Sequence, residues 1–141
     1  MLPAVSAEDC LFADLGVDPG QLGCQSYEAT DFLIRRRRPD PSAALILWQL
    51  SVLGRIDAVT EPDSSRMPFL VDHLCGHYPA EHEVVLYEAS PYPVVGPAVQ
   101  RVALGGLADA EIAAMTTLYV PPAATPEVDL ELVERLGMEW P

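Results

Sequence analysis

ALILWQLSV, residues 44–52, is a continuous apolar run bounded by turn residues. That is the pattern of a strand covered on both faces, and it requires a sheet with helices on two sides. EVVLYEAS, residues 83–90, is a second run of the same kind. Between them, Ser64 or Ser65 can start a helix that runs through Met67, Leu70, Val71 and Leu74 to a stop at Gly76. Upstream, Ser6 to Leu15 suits a helix carrying Leu11, Phe12 and Leu15, stopped at Gly16 and followed by the turn VDPG. GCQSY reads as a short strand or loop, and Glu28 to Arg37 as a helix ended by Pro39 and Pro41. Downstream, the proline-rich PYPVVGP leads into AVQRVAL, which alternates like a half-buried strand until Gly105 and Gly106 break it. LADAEIAAM is a short helical stretch, TTLYVPP a last strand, and VDLELVERL an amphipathic helix. Strands and helices interleave, so the expected class is α/β: a mixed sheet flanked by helices in one layered domain.

Composition narrows the function classes. The chain has 141 residues, half of them apolar, enough for one ordinary core. No run approaches the roughly 18 to 20 apolar residues of a membrane helix, and no basic region precedes an apolar signal core. A soluble, cytoplasmic protein with no membrane partner is expected. Cys10, Cys24 and Cys75 are an odd number without paired spacing, which points to reduced thiols rather than a disulfide framework. The net charge of −13 repels phosphate backbones, so nucleic acid is not an expected partner. All eight basic residues are arginines.

Few chemical motifs stand out. His73 and His77 lie four apart on a helical stretch, with Cys75 between them and His82 beyond. That spacing can meet one zinc ion. Gly76 is expected to end the helix before His77, however, and no carboxylate sits at general-base spacing, so no metal is expected. Arg35 to Arg38 gather half of the basic charge. They read either as a phosphate or carboxylate grip or as a solvated helix C-terminus. GxSxG, HExxH, CxxC and GxGxxG do not occur.

The first ten residues, MLPAVSAEDC, frame a helix start: Ser6 can accept from the amide three residues on, and Glu8 and Asp9 suit the positive end of the helix. Pro3, Ala4 and Val5 read as the tail of a tight loop, which would normally follow a strand.

Four stretches, LPAVSAEDCLFADLG, GCQSYEATDFL, LILWQLSV and TTLYVPP, in that order resemble the second half of tetrapyrrole-methylase-fold enzymes, the class III S-adenosylmethionine-dependent methyltransferases. The likeness covers nearly the whole chain. It is strongest to the branch with stand-alone bacterial methylases and peptide backbone N-methyltransferases, where a similar YEATDFL occurs. The resemblance implies two α/β domains with S-adenosylmethionine between them. Residues 1–20 then match the end of the first domain, a loop and cleft helix, and residues 21–141 the C-terminal α/β domain. The family's early GxGPG loop has no counterpart in these residues.

By the same resemblance, Ser6 and Ala7 match the loop at the methionine part of the cofactor. Gln49 and Leu50 match the strand end under the cleft, Tyr87 and Ala89 the next strand end, and Thr116, Thr117 and Leu118 a strand near the adenine. Strand ends with small and polar residues can supply the backbone groups and apolar slot that such a cofactor needs. Gln49, an amide in an apolar strand, would need partners if buried. No catalytic residue is assigned. One departure is Ala4, where the family commonly has glycine; a positive φ there would cost about 1 kcal/mol or more.

The leading expectation is a methyltransferase C-terminal half forming one wall of the cofactor cleft, completed by an N-terminal half. The alternative is a non-catalytic dimerisation or regulatory module derived from such an enzyme, and a third is a misplaced start. The methyl acceptor, whether tetrapyrrole, peptide or other, is not specified by these residues.

Overall fold

The computed structural model describes residues 5–55, 61–92 and 94–141. Helix α1 spans Ala7–Leu15, α2 Pro19–Leu22, β1 Cys24–Glu28, α3 Ala29–Ile34 and β2 Ala44–Trp48. Then come α4 Met67–Cys75, β3 Glu83–Glu88, β4 Ala98–Ala103, β5 Thr117–Val120 and α5 Leu130–Arg135. The strands form one five-stranded sheet in the order β1-β2-β5-β3-β4. β1 and β2 are parallel, and β2–β5, β5–β3 and β3–β4 pair antiparallel.

β2 is buried from Ala44 through Leu47 and contributes to two cores. Leu45 and Leu47 point to one side with Phe32, Leu70, Leu74, Leu86, Leu104 and Leu118. Ala44 and Ile46 point to the other with Leu11, Val85, Tyr87 and Tyr119. The alternation follows from the two-residue period of a strand, and it makes the covered run a two-sided core. α3, α4 and the 3-10 stretch Leu104–Asp109 build the first side, whereas α1 supplies Leu11, with Phe12 and Leu15 half-buried, to the second.

Local chemistry sets the helix ends. Ser6 caps α1 in a reciprocal capping box: its hydroxyl accepts from the Asp9 amide at 3.1 Å, and the Asp9 carboxylate accepts from the Ser6 amide at 3.2 Å. Gly16 closes that helix at φ 67°. The Glu28 carboxylate accepts from the amides of Thr30 at 2.8 Å and Asp31 at 2.6 Å, so Glu28 precedes α3 instead of joining it. Arg36 and Arg37 amides turn back to the carbonyls of Leu33 and Phe32, ending α3 with Arg36 at φ 48°.

Several expectations from the sequence change. The β2 run stops at Trp48: Gln49 enters the left-handed region at φ 62°, and Leu50–Val52 form a 3-10 turn that sends Leu50 and Leu53 into the first core. AVQRVAL does form a strand, but β4 is the outermost one, pairs only with β3, and is exposed along most of its length. LADAEIAAM is not a helix. Residues Leu104–Asp109 are 3-10, and beyond them side chains take the backbone groups: Thr116 Oγ1 accepts from the Ala113 amide and Ser51 Oγ donates to the Ala114 carbonyl. α4 begins at Met67 because Asp63 holds the Ser65 amide in a turn. VDPG leads into the one-turn α2, capped by Asp18. α5 is shorter than VDLELVERL and buries none of its residues.

Candidate functional site

The register brings most of the expected cofactor residues to one edge of the sheet. Glu28 pairs with Trp48, Leu47 with Leu118, Tyr87 with Thr117, and Glu88 with Ala98. The carboxyl ends of β1, β2 and β3 and the amino ends of β5 and β4 therefore share that edge. In open α/β sheets, ligands sit outside the carboxyl ends of strands.

Gln49 leaves β2 at this edge with its side chain exposed, so it is not the buried amide the strand reading requires. A non-glycine residue in the left-handed region costs roughly 1–2 kcal/mol, and such strain concentrates at sites of function. Leu50 and Leu118 are fully buried and serve the core. Thr116 is buried at the start of β5, where its hydroxyl donates to Glu88 at 2.6 Å while accepting from the Ala113 amide at 2.9 Å. Thr117 is buried beside it, and Ala89 is exposed just past the end of β3.

Tyr87 faces the α1 side, 1% exposed, and donates to Asp14 Oδ2 at 2.7 Å. Burial, with that hydrogen bond to the Asp14 carboxylate, raises its hydroxyl well above the usual tyrosine range. Tyr87 thereby ties β3 to α1. Ser6 and Ala7 are exposed at the opposite end of α1 and do not touch the strand-end group directly. The link runs through Glu8, which accepts from Ser26 Oγ at 3.4 Å, and Ser26 accepts from the Trp48 indole at 2.7 Å, one residue before Gln49. The Ser6 hydrogen bond to the Asp9 carboxylate holds that group below its ordinary range, so the first turn of α1 stays anionic. Ala4 lies outside the described residues.

Glu88 is a site residue that the motif reading passed over. It lines a cavity of about 140 Å³ with Glu111, Thr116, Leu86, Val99 and Gln100. The signal was a carboxylate closing an otherwise apolar strand, next to a residue already singled out. Ligand pockets for drug-sized molecules are roughly 300–1,000 Å³. This cavity therefore offers one wall and a set of acceptors, apolar on the Leu86 side and lined by carboxyl groups on the Glu88 side, and not an enclosed site. Exposed apolar side chains stand at the same edge: Tyr92, Val94, Val95 and Met115 on the connections and Val99 near the start of β4.

The histidine pair sits elsewhere. His73 and His77 rings lie edge to face at 5.5 Å, and His73 Nε2 is engaged with the Arg37 carbonyl at 2.8 Å. No group of three or more His, Cys, Asp or Glu side chains among the described residues is arranged to hold a metal ion. None of the described helices is long and apolar enough to cross a membrane.

The fold is a methyltransferase-like one. The crystal structure of the methyltransferase CobJ superposes with a TM-score of 0.61 over 91% of this chain and 52% of that one, at 19% identity. In sequence, the chain is 43% identical over 143 aligned positions to the methyltransferase and ribosomally synthesized cyclic peptide omphalotin A precursor of Omphalotus olearius. It is 41% identical over 143 positions to the methyltransferase and gymnopeptides precursor of Gymnopus fusipes. Each alignment covers 98% of this chain and 34% of the relative, so the chain spans about a third of the length of the curated relatives it matches. No protein-family model matches.

Proposed function

We propose that this chain supplies one wall of the cofactor cleft of an S-adenosylmethionine-dependent methyltransferase whose acceptor is a ribosomally made peptide. The observation that carries this reading is the convergence of Gln49, Thr116, Thr117, Glu88 and Ala89 on a single sheet edge beside a small, half-polar cavity. The peptide acceptor follows the names of the relatives, which align with almost the entire chain. The residues fit the group: Glu88 can accept hydroxyl or amino hydrogens, Gln49 and Ala89 are exposed beside it, and Leu86 and Val99 offer apolar contact. When bound, the cofactor supplies an activated methyl group. This wall orients it, since displacement at a methyl carbon is accelerated chiefly by alignment of the reacting atoms. These 141 residues align with 34% of the relatives' length, so this reading assigns them one wall and not the whole cleft.

Calorimetric titration with S-adenosylmethionine tests this, on the chain alone and with the part of a relative that precedes the aligned region added in trans. Saturable binding in either condition, weakened by Glu88→Gln, is the expected result. The apolar rim of Tyr92, Val94, Val95, Val99 and Met115 favours a second reading, a non-catalytic module that pairs with itself or with a longer relative. No cofactor binding in both conditions, together with dimerisation in sedimentation runs, would replace the enzyme reading with that one.

A further inference from the structure

The end of the domain opposite the candidate cofactor edge carries a separate site. α3 leaves the carboxyl end of β1, and the chain must return to the amino end of β2, which is parallel to β1, so Arg35–Arg38 lie at the far end. Asp31 neutralises two of these arginines, Arg35 and Arg37. Arg37 is further fixed over the Tyr27 ring at 4.8 Å. Arg36 and Arg38 are exposed, and their guanidiniums make no ion pair or hydrogen bond among the described residues. Both line an open cavity of about 530 Å³ whose other walls include Phe69, Asp72 and His77 of the α4 region.

Two observations separate this arrangement from a merely solvated helix end. Arg36 holds φ 48° at the position after the α3 cap, where glycine is the unstrained choice, so its side chain stands over the cavity at a backbone cost. In a chain of net charge −13, two unpaired guanidiniums stand together over an open cavity although carboxylates are abundant. We infer that this cavity is an oxyanion-binding site, in which the guanidiniums of Arg36 and Arg38 grip a phosphate or carboxylate group of a ligand that rests against Phe69. Guanidinium forks suit such planar or tetrahedral oxygen acceptors.

The surrounding charges set its pH behaviour. Asp72 contributes one opposing carboxylate, and His73 is engaged with the Arg37 carbonyl. Partial burial, with the nearby charges of His73 and Arg38, holds His77 below the ordinary histidine range. A bound anion favours the protonated ring, so the two events are coupled and binding tightens as pH falls through the His77 titration.

Titration of the 141-residue chain with inorganic phosphate and, separately, with glutarate tests the site by calorimetry. Saturable one-to-one binding of at least one anion is expected, with the better of the two naming the ligand's charged group. Arg36→Gly and Arg38→Gln should each weaken it by about tenfold or more. Arg36→Gly should melt no lower than the parent, because glycine relieves the left-handed residue, so lost binding in that variant cannot be lost folding. NMR should show the His77 titration moving upward when the anion is present. Absence of binding by both anions, or unchanged affinity in both variants, overturns the inference.

Discussion

Gln49 at φ 62° and Arg36 at φ 48° are the non-glycine residues with positive φ among those described, and they mark opposite ends of the domain. Each ends a regular element, and each leaves its side chain exposed where a ligand can reach it. The family resemblance singles out Gln49, which stands as an amide among apolar residues, but the sequence could not show that the strand ends just before it, at Trp48. A backbone turn of this kind is fixed by the packing of Leu50 and Leu53 beneath the sheet, and no local pattern announces it. Tyr78 is a different case. Its ring is buried and its hydroxyl has no hydrogen-bond partner among the described residues, and burial, with the charge of Asp40, pushes its ionisation up to about 12. Tyr78→Phe should therefore leave stability unchanged or raise it by up to about 1 kcal/mol in urea denaturation, since an unsatisfied group is removed. The unfolded tyrosine ionises near 10 and the folded one near 12, so the retained proton favours the native state below pH 10. That contribution disappears between pH 10 and 12, and the Phe variant should show a correspondingly flatter alkaline decline.

At the scale of elements, reading was reliable wherever local signals and burial agreed. ALILW and EVVLYE became the two-sided strands β2 and β3, and the capping box at Ser6 starts α1 where the sequence placed it. It failed where distant side chains decide. The residues 107–115 have a helical pattern, yet Thr116 takes the Ala113 amide that a helix would need, and Ser51, 63 positions from its acceptor, holds the Ala114 carbonyl. β4 alternates like a half-buried strand but stays exposed, because strand order and not its own pattern makes it an edge. The sheet-edge grouping of the candidate site was reached through resemblance, since Thr116, Glu88 and Gln49 come together only after β5 inserts between β2 and β3. α5 shows the reverse limit: a well-capped amphipathic helix whose apolar residues Leu130 and Leu132, with Leu136 at its C-cap, remain exposed. Ending the chain after Pro126 should change its unfolding free energy by less than about 0.5 kcal/mol, as measured by chemical denaturation, because no packed surface is lost. A larger drop would mean that α5 is docked in solution.

For the whole molecule, the governing feature is the unequal cover of the sheet. One side holds the larger core beneath α3, α4 and the 3-10 stretch, while the other depends on α1 and, among the described residues, a core of six buried ones. Local opening costs least where the fewest apolar contacts break. Amide hydrogen exchange should accordingly be fast in residues 7–15 and slowest in β5 and β2, and Ser6→Ala should speed the α1 amides severalfold while leaving those of β5 unchanged. Equal acceleration in both elements would show that the sheet and α1 open together. The thin layer also makes α1 a natural reporter. Its first turn reaches Trp48 through Glu8 and Ser26, and its last turn is held to β3 by Asp14 and Tyr87. Any ligand that settles on the strand ends and presses on either tether will slow exchange across the helix, so occupancy of the edge becomes visible as protection in a segment that the ligand need not touch.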